Sequence, residues 1–317
     1  MLPDQTGRFQ LPVQLAGSVA SGIVDKAGPG RIAALFDSSF YIETADGLVC
    51  LGNENLAASP LNLATTAPPA TNWRASGMQL HQKVSISQQA ISVGNRFSFP
   101  LSGMRIWSPA LLAPCCKLDL EQGLECFRMA CKHYEALDGL DYFPVARSRP
   151  QQSLDTGAVA RRPIRALREW LASLLRNPDN KILLDLDSVK PLMGLGPGLT
   201  PSGDDFIGGV MLALNTLHEK KICRLLWQSI RQASEEISNP ISHAHLKAAS
   251  LEGGNSNIHR CLAAILTGNP ETIQHCLPDI DRIGHSSGWD IMAGAVFAFE
   301  CWLEARSYKP KHNQLAE

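Results

Sequence analysis

Residues 194–209 read GLGPGLTPSGDDFIGG, and the apolar run then continues to Leu217. Four glycines and two prolines crowd the first ten positions. Glycine admits positive φ and close backbone approach, and proline fixes φ and suits a helix start. The stretch therefore predicts a tightly turned loop feeding a helix. Residues 206–217 are apolar nearly all round, the mark of a helix buried on every side. A helix of that kind belongs in the core of its domain.

The loop also suggests chemistry. Backbone N–H groups at a helix N-terminus make an anion site. It is not a Walker A loop, which requires Lys followed by Ser or Thr after the last glycine. Asp204-Asp205 stands there instead, a charge that suits a cation or the N–H donors of an amide. A structural reading competes: Ser202-x-x-Asp205 fits a capping box, and acidic residues in a first turn favour the helix dipole.

A second segment bears on that choice. Residues 287–294 read SGWDIMAG and residues 202–209 read SGDDFIGG, both Ser-Gly-x-Asp-x-x-x-Gly ahead of an apolar helix. The pattern predicts one structural device used twice, with the two helix N-termini close together. Asp290 then corresponds to Asp205, and Trp289 takes the place of Asp204. Asp204 becomes the charge that capping does not require. Its loss is expected to spare stability and impair binding. The candidate catalytic residues are Asp204, Asp205 and His285, the last just ahead of the second loop. Gly196, Gly198, Thr200, Ser202, Gly203, Ser287, Gly288 and Asp290 are candidates for holding a substrate or anion. A divalent cation is the candidate cofactor, with Asp204 and Asp205 as ligands.

Working outward, helical periodicity runs through much of the second half. Leu120, Leu124, Phe127, Cys131 and Tyr134 share one face, as do Ile164, Leu167, Leu171, Leu174 and Leu175, with Asn177-Pro178 as a stop. Further helices are predicted over 222–237, 241–251, 258–266, 271–280 and 289–305. The first third differs. Residues 31–36, 40–44 and 47–51 read as strands, with Asp46-Gly47 as a hairpin signal. Val84, Ile86, Ile91, Val93 and 97–99 suggest more strands. Residues 56–73, with Pro60, Pro68 and Pro69, read as loop. The expected fold is α+β: a β-rich N-terminal domain over 1–118, then an all-helical domain over 119–317 that carries the glycine-rich loop.

Composition narrows the function. The formal net charge is −1, and no basic face suggests nucleic acid. Arg161, Arg162, Arg165 and Arg168 read as a solvated helix face. The first residues lack the basic and apolar regions of a signal peptide, and no apolar run is long enough to span a membrane. Nine cysteines, an odd number without CxxC spacing, point to reduced thiols and a cytoplasmic setting. His243 and His245 are two apart on a predicted helix, a poor metal pair, and read as surface or capping residues. Asn53-Glu54-Asn55 reads as a turn, and Asn239, Asn255 and Asn257 as loop residues. There is no G-x-S-x-G elbow, no HExxH and no dinucleotide fingerprint.

The string GLGPGLTPSGDDFIGG, together with GHSSGWDIMAG at 284–294, resembles a bacterial family labelled a domain of unknown function and sometimes a carboxylase. Members of this family look like a subunit of oxamate carbamoyltransferase. That enzyme of anaerobic allantoin breakdown converts oxalurate and phosphate to oxamate and carbamoyl phosphate, which feeds ATP synthesis through carbamate kinase. The resemblance implies two partner subunits, one similar to acyl-CoA synthetases and one from a second uncharacterised family. It implies membership of the complex and transfers no catalytic residue. Two classes of function stay open: an enzyme subunit for carbamoyl transfer, and a non-catalytic subunit that organises the complex or senses a ligand. The carboxylase label has neither a biotin nor an ATP-grasp signature behind it.

Overall fold

The structure is a computed structural model that describes residues 7–132, 154–177 and 179–308. The chain divides into two compact units, Met1–Leu111 with Gly253–His259, and Leu112–Glu252 with Arg260–Glu317.

The first unit is built on one ten-stranded sheet. In chain order the strands are β1 (Phe9–Gln10), β2 (Val13–Gly17), β3 (Gly28–Leu35), β4 (Ser39–Thr44), β5 (Gly47–Gly52), β6 (Asn62–Thr65), β7 (Lys83–Ile86), β8 (Ala90–Val93), β9 (Phe97–Pro100) and β10 (Arg105–Trp107). Their order across the sheet is β1-β9-β8-β7-β3-β4-β5-β6-β2-β10. The hairpin expected at Asp46-Gly47 joins β4 to β5, with Thr44 opposite Gly47. Gly47 has φ +137°, which explains glycine there. Phe40, Trp73, Phe97 and Phe99 form an aromatic core, with Phe40 and Trp73 ring centroids 5.2 Å apart and Trp73 and Phe99 5.9 Å apart.

Several features of this unit escaped the sequence reading, β1, β2 and β10 among them. The stretch read as loop contains β6, which pairs parallel to β5 and antiparallel to β2. Four residues without alternation carry no strand signal, and only long-range pairing makes them one. A short helix, α1 (Ser18–Val24), follows β2 directly. Asn53 does begin a turn, but it is fully buried, and its amide donates to the carbonyls of Pro69 and Thr71.

The second unit is helical. Its elements include α2 (Lys117–Cys131), α3 (Leu154–Arg176), α4 (Leu186–Val189), α5 (Ser202–Thr216), α6 (Lys220–Ile237), α7 (Pro240–Ser250), α9 (Pro270–Asp281) and α10 (Ser287–Ser307); α8 spans Ser256–Leu266. The fold is α+β, as the sequence indicates. Leu120, Leu124, Phe127 and Cys131 form the buried stripe of α2; Tyr134 and Pro178, also used in the sequence reading, lie outside the described residues. Every residue of α5 is buried, which fits its lack of a polar face. It packs chiefly against α10, with Phe206 and Phe297 rings 5.3 Å apart. Arg168 is not simply a solvated charge, since it bridges Glu300 and Glu304 of α10 and lies over the Phe297 ring. Among the described residues no helix is long and apolar enough to cross a membrane.

Candidate functional site

The glycine-rich loop leaves a 3-10 turn at Lys190–Leu192 and enters α5. Gly194, Gly196 and Gly198 all have positive φ, from +67° to +110°, conformations that side chains strain to adopt. Gly196 folds back over the start of α5, where a Cβ would stand 3.0 Å from the Ser202 nitrogen. Gly198 is exposed with open space around it.

The capping box is not formed. Pro201 takes the N-cap position, Ser202 is the first helical residue, and no side chain caps the helix. The reason is chemical: a box carboxylate must accept from the N-cap N–H, and proline has none. Instead, the Asp205 N–H donates to the Pro201 carbonyl.

The two aspartates have separate surroundings. Asp204 is 1% exposed. Its Oδ1 accepts from the Gly194 N–H at 2.9 Å, and its Oδ2 accepts from the Ser242 hydroxyl at 2.7 Å. This corrects the expectation that Asp204 carries no structural duty. It ties the loop and α7 to α5, and both oxygens are already met by donors. Nothing local in the sequence marks Ser242 as its partner, because the contact joins residues on different helices.

Asp205 has an oxygen to spare. It is 8% exposed, and its Oδ2 is buried without a hydrogen bond. Burial pushes its carboxyl well above the usual carboxylate range; the Ser287 hydroxyl opposes this, and the charges of Asp290 and Asp204 add to it. Asp290 is 1% exposed. Thr200 Oγ1 and Ser287 Oγ lie 2.9 Å apart, joining the two loops across the helix starts.

The glycines of the repeated device do match in space, whereas its serine cap and box aspartate form in neither copy. The Gly203 N–H donates to the Leu195 carbonyl and the Gly288 N–H to the Ile283 carbonyl. A Cβ on Gly203 would overlap the carbonyl oxygen of Leu192, and one on Gly288 that of Ile280. Seven residues into each helix, Gly209 lies on the Ile291 carbonyl and Gly294 on the Phe206 carbonyl. Each copy thus mirrors the other about the α5–α10 contact. Trp289, in place of Asp204, donates its indole N–H to Asp281.

The other candidates disperse. His285 is exposed in the turn before α10. His243 is half-buried, shares a 2.7 Å hydrogen bond with Ser234 and lies against Trp227. His245 is also half-buried, and desolvation lowers its pKa to about 4. Neither histidine fits the expected surface or capping role. Asn239 is a true N-cap, accepting from the Ile241 N–H. Among the described residues no group of three or more His, Cys, Asp or Glu could hold a metal.

Residues 192–299 match the model of a family described as oxamate carbamoyltransferase subunit AllH. The match starts where the glycine-rich loop begins and ends inside α10, so it takes in both copies of the device and bears out the resemblance read from the two motifs. No solved structure matches the chain.

Proposed function

We propose that the chain is a subunit of oxamate carbamoyltransferase and supplies a small-molecule site where the loops before α5 and α10 meet. One observation carries this reading: the AllH match covers both loops, and they converge at Thr200 and Ser287 beside the buried Asp205. In the proposed reaction a phosphate oxygen attacks the carbamoyl carbon of oxalurate. The C–N bond to the oxamate nitrogen breaks, and that nitrogen needs a proton. A carboxyl whose pKa burial raises, such as Asp205, suits delivery of that proton, and the Thr200 and Ser287 hydroxyls suit the polar edge of the ligand.

A second reading rests on the packing. The occupied oxygens of Asp204 and the close contacts of Gly203, Gly209, Gly288 and Gly294 also suit a motif kept for helix assembly, in a subunit that organises the complex without doing chemistry.

Reconstitution tests the proposal. Oxalurate and phosphate are supplied to this chain, the acyl-CoA-synthetase-like subunit and the third subunit, and carbamoyl phosphate is measured. Turnover is expected only with all three. Full turnover without this chain, or by this chain alone, would overturn the reading.

A further inference from the structure

Most buried cysteines of this protein have the properties of small core residues. Burial pushes the thiols of Cys50, Cys131, Cys223 and Cys301 up to about 12. Cys276 on α9 departs from them. The Arg260 guanidinium donates from Nε to its sulfur at 3.4 Å, and Arg260 also pairs with Asp279, one turn along α9. The Cys261 thiol of α8 interacts directly with the same sulfur. Cys261 lies five positions before Leu266, the end of α8, and Cys276 six positions after Pro270, the start of α9, so the two stand at similar distances from the connecting turn.

We propose that Cys276 and Cys261 form a peroxide-reactive dithiol that closes to a disulfide between α8 and α9. Two neighbours support the thiolate at Cys276: the Cys261 S–H, which hydrogen-bonds to it, and the cationic Arg260. Together they lower its pKa to about 6, while the Cys261 pKa is raised. The Cys276 thiolate attacks one oxygen of hydrogen peroxide, breaks the O–O bond and releases hydroxide, leaving a sulfenic acid. The Cys261 sulfur then attacks the Cys276 sulfur and expels that oxygen as water. Overall, two thiols and one peroxide give one disulfide and two waters. The Cys276 side chain is fully buried, and the Arg260 side chain that touches its sulfur reaches the surface. Arg260 is half exposed, and Pro278 inside α9 removes the amide that would bond to the Gln274 carbonyl, which loosens this turn.

The test uses the full-length chain, treated with hydrogen peroxide and mapped by mass spectrometry without reduction. The Cys261 and Cys276 peptides should appear joined, two hydrogens lighter than their sum, while Cys223 and Cys301 remain thiols. Cys261→Ser should give no cross-link and a dimedone adduct on Cys276. Arg260→Gln, a change at the surface, should slow iodoacetamide labelling of Cys276 at neutral pH about tenfold or more, because less of it is thiolate. Cys276 labelling no faster than Cys223, a cross-link elsewhere, or parental reactivity in Arg260→Gln would each overturn the proposal.

Discussion

Gly209 and Gly294 are counterparts in the crossing of α5 and α10: a Cβ on Gly209 would overlap the carbonyl oxygen of Ile291, and one on Gly294 that of Phe206. Both obstacles are backbone, so relief requires the helices to part. Gly209→Ala or Gly294→Ala should each cost about 2–4 kcal/mol, at or above the usual cost of overpacking. Chemical denaturation checks this. A stability within about 0.5 kcal/mol of the parent would show that the crossing is looser than described.

Asp204 accepts one hydrogen bond from Gly194 and another from Ser242. Asp204→Ala leaves the buried Ser242 hydroxyl and the part-buried Gly194 N–H unmatched, and should destabilise by about 3 kcal/mol. Ser242→Ala should cost about 1.5 kcal/mol. In the double variant the losses should fall short of additive, because the two residues share one bond. Strict additivity in a denaturation cycle would deny the link.

The device used twice was legible in the sequence because Ser-Gly-x-Asp-x-x-x-Gly is local: a glycine for close approach and an acid in the first turn, written within eight residues. The all-apolar face of α5 was legible for the same reason. What was not legible depended on distance in the chain. Asp204 and Asp205 are adjacent, and only their partners, Ser242 and Gly194 for one and Asp290 and Ser287 for the other, divide a structural strut from a spare acid. The capping box failed on one detail, the missing N–H of Pro201. β6 went unseen because its strand character comes from β5 and β2 on either side of it.

Burial raises the Asp205 pKa in the folded chain above its unfolded value. Between those two values the folded state holds more protons than the unfolded one, so stability falls as pH rises from about 4 toward the raised value. Asp205→Asn removes this contribution. Relative to the parent, the variant should gain stability as pH rises above about 4, read from urea midpoints across a pH series. A constant difference between the proteins would mean that Asp205 is ionised when folded.

Trp73 is fully buried among Phe40, Phe97 and Phe99, and its indole donates to the Ser38 carbonyl. Trp73→Ala should cost roughly 3–5 kcal/mol, seen as a lowered midpoint in thermal unfolding of the first unit. A loss below about 1 kcal/mol would argue that the sheet closes without it.

Titration calorimetry of oxalurate into the complex, assembled once with the parent chain and once with the Thr200→Val, Ser287→Ala double variant, tests the central claim most directly. Both changes remove a hydroxyl and leave the Asp204 strut and the glycine contacts in place. If the ligand sits where the two loops meet, affinity should fall roughly tenfold or more with two hydrogen-bonding groups gone. Equal affinity in the two complexes would place the binding site elsewhere and leave this pair of loops as a packing device.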